Sequence, residues 1–243
     1  MRKLVLAETR LFLREPVGVF FSLVFPSILV GILGFVPDYR KAEPDLGGLR
    51  VIDLYVTIAI TLTLCMLALQ LAPQALATYR ERGVLRRMAT TPVHPSRLLA
   101  AQLTTNLLVS LLSMALVLTV GRVVFNVRLP QQFVGFIVAL VLAAGALFTI
   151  GLFIAAIAPS GKAGGAIGGI LFFPVMFFAG LWFPREAMSA TLRRIGDFTP
   201  LGAGVQALRD ATAGSWPHAG QLLVLTAYIV VFGAAAVRFF RWE

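Results

Sequence analysis

The segment Tyr79–Pro95, with the sequence YRERGVLRRMATTPVHP, carries the densest charge in a chain that is otherwise strongly apolar. One long uncharged run ends just before it at Thr78, and the next begins just after it at Leu98. A short charged helix held between two membrane spans cannot enter lipid, because charged side chains are costly there. The segment must therefore lie in water or against another protein, where a partner can push on the membrane part. Its charged residues are Arg80, Glu81, Arg82, Arg86 and Arg87.

The composition of the chain favours an integral membrane protein. Of its 243 residues, 58% are hydrophobic and only 13% are charged, whereas a soluble domain usually has about 25% charged residues. The net charge of +10 would suggest a nucleic-acid partner in a soluble protein, but basic residues that keep loops in the cytosol explain it here. We therefore predict contact with the lipid bilayer and none with nucleic acid. The single cysteine, Cys65, cannot form a disulfide framework or a Cys-based metal site within one chain, and no metal site is predicted.

Six uncharged runs are long enough to cross a bilayer, which takes about 20 apolar residues per helix. They predict an all-α membrane domain over residues 1–243, and the first run is too long for a cleaved signal peptide. With six spans both termini lie on one side, and that side holds 12 of the 21 Lys and Arg residues. This asymmetry predicts that both termini and the 79–95 segment are cytosolic. The approximate spans are 17–37, 54–78, 98–121, 131–158, 163–184 and 217–237.

Residues 1–16 form a charged head before the first span. Lys3, Arg10 and Arg14 project on one side of a helical wheel, while Val5 and Phe12 project elsewhere. This pattern predicts an interfacial helix in the cytosolic headgroup layer that ends at Pro16. The alternative is a head that only sets the topology and anchors the first span.

The segment between the fifth and sixth spans is long for a simple turn. Residues 186–195 and 201–211 have helical patterns that are split by Gly196, Asp197 and Pro200. We expect two short helices there, re-entrant or amphipathic, which dip part-way into the bilayer from the outer side.

Five glycines stand at the start of the fifth span with overlapping small-xxx-small spacings, which allow two helix backbones to approach closely in lipid. The same stretch is not a phosphate-binding Walker A loop, because Ala156 stands where the upstream glycine is needed and Ala163 follows Lys162. We therefore predict a helix-packing role. The glycines are Gly161, Gly164, Gly165, Gly168 and Gly169.

Two sets of residues are candidates for a substrate path. Polar residues on one side of the second span face the bundle rather than lipid, either for hydrogen bonding between helices or for substrate. Aromatic residues in the fifth span either pack against neighbours or offer a hydrophobic substrate surface. The candidates are Thr57, Thr61, Gln70, Phe172, Phe173 and Phe177.

The sequence shows no device that would let this chain work alone. The spans carry no ionisable residue at their centres, and no H-E-x-x-H or G-x-S-x-G motif occurs. This argues against an intramembrane enzyme and against an ion-driven carrier, which usually has such a residue at membrane depth. The energy for any transport must therefore come from a partner.

Three stretches of the chain resemble the ABC-2 type transporter permeases, a family that includes daunorubicin-resistance exporters and polysaccharide or lipid exporters. The 80–87 stretch followed by Thr91-Pro92-Val93 is similar to the family's E-R-x-G-T-L-x-R-L…T-P-V segment, with Val84 where Thr is common. The second stretch runs from Phe183-Pro184 through Thr199-Pro200-Leu201 to Gln206-Ala207-Leu208-Arg209 and Gly214. The third is the ending Phe239-Phe240-Arg241-Trp242. With the six spans, the resemblance extends over the whole chain.

The resemblance implies a membrane subunit whose motor is a separate chain. Two permeases, identical or related, would pair and bind two cytosolic ATPase subunits, which would hold the ATP and Mg²⁺; this chain would need no cofactor and would not itself be an enzyme. Residues 79–95 would be the coupling segment in a groove of the ATPase, and residues 1–16 a connecting helix beside it. The implied coupling residues are Arg80, Glu81, Arg82, Gly83, Arg86 and Arg87.

Individual roles follow from the same resemblance. Arg82, Arg86 and Arg87 would pair with ATPase carboxylates, while Glu81 would fix the helix locally or pair with the amino-terminal helix. The alternative for the arginines is a role in topology and headgroup contact alone. Spans two and five would line the substrate path.

The apolar and aromatic candidates favour a drug-like or lipid-like substrate exported through a bacterial-type cell membrane, as in multidrug efflux. The polar face of the second span leaves a polysaccharide or glycolipid exporter open as the alternative. A non-transporting membrane scaffold and an intramembrane enzyme with an unrecognised site also remain open.

Overall fold

The computed structural model describes residues 2–41, 50–89, 96–183, 185 and 188–239. These residues form helices, turns and loops and no β-strand, which confirms the predicted all-α class. We number the helices in chain order and treat each membrane span as one helix. They are α1 (Arg2–Leu13), α2 (Pro16–Gly34), α3 (Val51–Glu81), α4 (Val84–Ala89), α5 (Ser96–Phe125), α6 (Phe133–Ile157), α7 (Gly161–Ala179), α8 (Ala190–Asp197), α9 (Pro200–Thr212) and α10 (Ala219–Phe239).

Six of these helices, α2, α3, α5, α6, α7 and α10, are long and apolar enough to cross a membrane. The predicted number of spans is thus confirmed within the described residues. The second span is longer than its uncharged run because charged residues at both ends are partnered. At its start, Arg50 forms a two-pronged salt bridge with Asp53, with both N···O distances 2.8 Å, and also donates to the carbonyl of Asn126 after α5. The helix therefore begins at Val51 rather than at Leu54.

Helix α3 is the centre of the bundle, with most of its length buried. It packs against α2, α5, α6 and α7 and, near its outer end, against α9. Helix α10 packs mainly on α6 and is largely exposed on its other sides, as expected for a helix that faces lipid.

Prolines in the first two spans distort their helices and leave carbonyls that need other partners. Pro73 follows a π-helical stretch, Met66–Leu71, and cannot donate to the carbonyl of Leu69. Pro26 follows a second π-helical stretch, Phe20–Val24, and likewise cannot donate to the carbonyl of Ser22. Such carbonyls are tolerated in a membrane when neighbouring helices satisfy them.

Thr63 satisfies the carbonyl of Ser22. Its hydroxyl oxygen lies 3.3 Å from that carbonyl oxygen and 2.9 Å from the hydroxyl oxygen of Ser113. All three residues are buried. The hydroxyl of Thr63, on the second span, thus links Ser22 of the first span to Ser113 of the third within a mainly apolar core.

The glycines of the fifth span fit against the distorted part of α3. A methyl group added at Gly168 would lie deep inside the van der Waals radius of the Leu69 carbonyl oxygen, and one at Gly164 would lie 3.1 Å from the Pro73 carbonyl oxygen. At Gly161 it would overlap the side chain of Thr78, whereas at Gly169 it would meet nothing within 4 Å. Gly165 faces the side chain of Gln74, also in α3, at 3.4 Å. Four of the five predicted packing glycines thus lie against the second span, and Gly169 faces open space.

The segment after the fifth span contains two short helices, as expected. The first, α8, spans Ala190–Asp197 rather than the expected 186–195, and residues 186 and 187 lie outside the described part. Helix α9 begins after Thr199, whose hydroxyl accepts from the Gly202 N–H at 3.1 Å. Unlike a surface helix, α9 is buried along most of its length and packs against α6, α3 and α7.

Lys3 and Arg10 on helix α1 and Arg14 just after it are exposed, as the wheel predicts. Leu6 and Leu13 are also about half exposed, which suits a helix with one side in a headgroup layer. Pro16 does not simply end this helix, because it occupies the first turn of α2.

Candidate coupling site

The coupling end of the bundle is the end that holds α1, α4 and the turn between α6 and α7. There the chain turns from α3 into α4 at Gly83, whose φ of +66° is a left-handed conformation that favours glycine. The Gly83 N–H donates to the carbonyl of Arg80 at 2.9 Å. The guanidinium of Arg87 in turn donates to the carbonyl of Arg82 at 3.2 Å. The turn is therefore held on both sides of the glycine.

Among the described side chains of helix α4, Leu85 attaches the helix to the bundle. Leu85 is almost fully buried and forms a small cluster with Leu98 at the start of α5 and Ala156 at the end of α6. Tyr79 and Leu99 pack against this cluster. A displacement of α4 must therefore be transmitted to the ends of the second, third and fourth spans.

Arg80 points inward and binds the carboxyl-terminal end of α6. Its guanidinium donates to the carbonyls of Ala156, at 3.1 Å, and Ala158. Carbonyls at a helix end have no partner within the helix and carry partial negative charge, so a guanidinium is well suited to them.

Glu81 binds the other side of the same turn. Its carboxylate accepts from the Gly161 N–H at 3.1 Å, at the amino-terminal end of α7. The Ser160 hydroxyl also accepts there, from the Ala163 N–H at 3.2 Å. Because helix starts favour negative charge, Arg80 and Glu81 together hold two oppositely polarised helix ends across one short turn. The hydrogen bond of Glu81 to the start of the fifth span was not among the predicted alternatives, which were a local contact and a pair with the amino-terminal helix.

The six predicted coupling residues are not equivalent. Arg80 and Glu81 bind the turn between α6 and α7, and Gly83 shapes the turn into α4. Arg82 and Arg87 are exposed, and Arg87 contacts the neighbouring Arg82 carbonyl. The side chain of Arg86 lies outside the described part.

A second buried polar contact joins α1 to the same region. Glu8 is only 8% exposed, and the Tyr79 hydroxyl donates to its carboxylate at 3.2 Å. The Gln102 side chain of α5 also donates to it. Burial raises the pKa of the Glu8 carboxyl above its ordinary value, although these two hydrogen bonds oppose the shift. Glu8 was not predicted from the sequence as a functional residue. The feature that could have pointed to it is its position as the one acidic residue among the basic residues of α1.

The substrate-path candidates fall in separate places within this chain. Thr57 and Thr61 are buried, and the Thr61 hydroxyl donates to carbonyls of its own helix. Thr57 also lines a cavity of about 340 Å³ with charged residues at the outer end of the bundle. Gln70 is half-buried in the π-helical part of α3. The other lining residues of the outer cavity include Asp53, Arg128, Gln131, Arg209 and Asp210.

The aromatic candidates belong to the fifth span and are not all equivalent. Phe172 is buried in the core, whereas Phe173 is 61% exposed. Phe173 stacks on Trp182, with ring centroids 6.2 Å apart, and both line an apolar recess of about 490 Å³ with Pro174 and Phe177. This recess and the outer polar cavity share no lining residue.

Comparison with known proteins supports the architecture. The family model described as ABC-2 type transporter matches residues 2–212 of the chain. Comparison with curated proteins gave no match. The family match covers most of the chain, including α1, the first five spans, α4, α8 and α9. Membership implies a multi-pass membrane protein that associates with ABC ATPase subunits. The chain therefore belongs to the ABC-2 type transporter family, and it is a membrane permease component of an ABC transporter.

Proposed function

We propose that this permease is moved by separate cytosolic ATPase subunits that bind the exposed side of the coupling segment. The observation that carries the proposal is the arrangement of residues 80–87. Arg82 in the turn and Arg87 on α4 are exposed, Leu85 fixes α4 to the bundle, and Arg80 reaches the turn between the fourth and fifth spans. A push by the ATPase on this element would be distributed over the second to fifth spans. ATP and Mg²⁺ would be bound by the ATPase.

A second permease, identical or related, would complete the transporter. Support comes from the outward face of α7, where Gly169 has open space beside it and Ile170 and Phe173 are mostly exposed. A small residue between large apolar ones allows close packing against another helix. Pairing through this face would place the two fifth spans beside the substrate path.

The substrate class that we propose is a hydrophobic drug-like or lipid-like molecule, exported as in daunorubicin-resistance-like efflux through the cell membrane. The apolar recess formed by Phe173, Pro174, Phe177 and Trp182 supports it. Aromatic surfaces of this kind bind flat or aliphatic molecules through burial of apolar area.

Export of a polysaccharide or glycolipid is the second candidate. The observation that favours it is the outer cavity, whose Asp53, Thr57 and Gln131 offer hydrogen-bonding groups suited to sugar hydroxyls. The two candidates differ in which cavity a substrate needs. Substitution Trp182→Ala, in the apolar recess but not in the proposed pairing face, should impair drug efflux and spare glycan export, whereas Gln131→Ala should do the reverse.

Charge reversal tests the coupling proposal. In the double variant Arg82→Glu with Arg87→Glu, we expect loss of co-purification with the ATPase and loss of export, with the permease still inserted in the membrane. The matched control is Arg193→Glu with Arg194→Glu, which reverses two exposed arginines on α8 at the other end of the bundle. Unchanged association and export in the first double variant would refute the proposal.

A further inference from the structure

A polar chamber lies under α1 at the coupling end of the bundle. It has a volume of about 60 Å³, which is enough for a few water-sized particles and too small for a drug-like ligand. Two carboxylates line it, from Glu8 and Glu15, and within the described part of the chain no Lys or Arg does. Its other polar lining residues are Tyr79, Gln102, Thr105 and Asn106.

Two side chains of α5 line this chamber and have buried oxygens without a hydrogen-bond partner. The first is Gln102, which is 7% exposed. Its side chain lies close enough to the Glu8 carboxyl to oppose the rise in the pKa of that group. The Gln102 Oε1 atom is a buried acceptor without a partner.

The second is the hydroxyl of Thr105, which is 3% exposed. Two other hydroxyls on the same helix, those of Thr104 and Ser110, donate to carbonyls four residues back, at 2.7 and 2.8 Å. Thr105 does not use this common arrangement for a helical hydroxyl. Buried polar groups without partners are costly, so a group that binds them is expected.

The chemistry of the set identifies the missing partner. Two carboxylates, an amide oxygen and a hydroxyl oxygen are hard oxygen ligands, and none of the described residues that line the chamber is His or Cys. Such ligands suit Ca²⁺ and Mg²⁺ rather than transition metals. One divalent ion would also balance the two carboxylate charges in a place that is partly shielded from water.

We propose that this chamber binds a single divalent cation of the Mg²⁺ or Ca²⁺ class, with Glu8, Gln102 and Thr105 as its inner ligands. The ion joins α1 to α5 and, through the Tyr79 hydroxyl on Glu8, to the residue that precedes Arg80. It thereby fastens the amino-terminal helix to the coupling end of the second span.

The test uses the purified full-length protein in nanodiscs of uncharged lipid, freed of divalent ions by chelation. Tb³⁺ is the probe, because the Tyr79 ring lines the chamber and sensitises Tb³⁺ luminescence when excited. We expect saturable luminescence that Ca²⁺ or Mg²⁺ displaces. The variants Thr105→Val and Gln102→Leu should weaken the apparent affinity by at least about tenfold. Thr104→Val, on the exposed side of the same helix, is the matched control and should leave it unchanged.

A second readout is the thermal unfolding midpoint, which the divalent ion should raise in the original protein and in Thr104→Val but not in the two chamber variants. Thr105→Val changes shape little, so it decides the matter even if Gln102→Leu does not fold. Absence of saturable binding to the folded protein would overturn the proposal, because the chamber would then hold only water. Equal affinity in Thr105→Val and Thr104→Val would also overturn it, because the ion would then bind elsewhere.

Discussion

The guanidinium of Arg80 donates a hydrogen bond to the carbonyl of Ala156 at 3.1 Å, so the last turn of the second span holds the end of the fourth. The neighbouring residue Glu81 accepts from the first N–H of the fifth span. Two adjacent side chains thus connect three spans at the end where the ATPase is proposed to bind. Because the contacts are internal, we propose that they transmit movement rather than recognise the partner.

This division predicts separate effects for the inward and outward arginines. Arg80→Gln should leave ATPase association intact but impair export, because the turn between the fourth and fifth spans loses its attachment. Each lost hydrogen bond from a charged group should reduce stability by about 1.5–3 kcal/mol. The measurements are co-purification with the ATPase, export, and reversible unfolding in detergent.

Arg82→Gln is the matched control for stability, because its side chain is exposed at the same end. We expect it to unfold like the original protein. If Arg80→Gln abolished ATPase association while its stability was unchanged, the assignment of Arg80 to internal transmission would be wrong.

The close approach of the second and fifth spans predicts a sharp contrast between adjacent glycines. A methyl group at Gly168 overlaps the carbonyl oxygen of Leu69, so Gly168→Ala must push the helices apart. We expect a loss of stability of about 1–3 kcal/mol or more, measured by reversible unfolding in mixed detergent micelles. Gly169→Ala meets nothing within 4 Å and should be neutral or stabilising by up to about 1 kcal/mol. Similar losses in both variants would show that helix propensity, not packing, governs this span.

The number and type of the elements could be predicted from the sequence, because length and apolarity are local properties of each run. The start of α9 was also readable, since Thr199-Pro200 is a typical helix start. Contacts between side chains that are far apart in the sequence could not be predicted. Glu8 meets Tyr79, which lies 71 residues away, and neither residue has a periodic pattern that would point to the other. Arg80 and Glu81 were predicted to belong to a coupling segment, but the charge pattern alone could not distinguish inward from outward side chains.

Thr63 illustrates the same limit and yields a further prediction. Nothing in the sequence separates it from Thr57 and Thr61, yet its hydroxyl joins three spans through Ser22 and Ser113. Thr63→Val should reduce stability by about 0.6–1.7 kcal/mol, the range for hydrogen bonds between membrane helices. Thr119→Val removes only a bond to the carbonyl of Ala115 in its own helix and should have a smaller effect.

A double-mutant cycle of Thr63→Val with Ser113→Ala measures the contact directly. The loss in the double variant should be smaller than the sum of the two single losses, because both remove the same hydrogen bond. Strict additivity of the two single losses would show that the hydroxyl contact contributes nothing.

The orientation of the chain predicts which introduced thiols a membrane-impermeant maleimide can reach. The native Cys65 is fully buried, so the original protein should not be labelled from either side. Arg87→Cys, on the exposed side of α4, should be labelled only in inverted vesicles, because the basic segment is predicted to be cytosolic. Ser215→Cys, exposed in the turn between α9 and α10, should be labelled only on intact cells.

Both variants should be labelled after solubilisation, which controls for access. Labelling of Arg87→Cys on intact cells would place α4 outside the cell, where no ATPase supplied with cytosolic ATP could reach it, and would remove the basis for the coupling site.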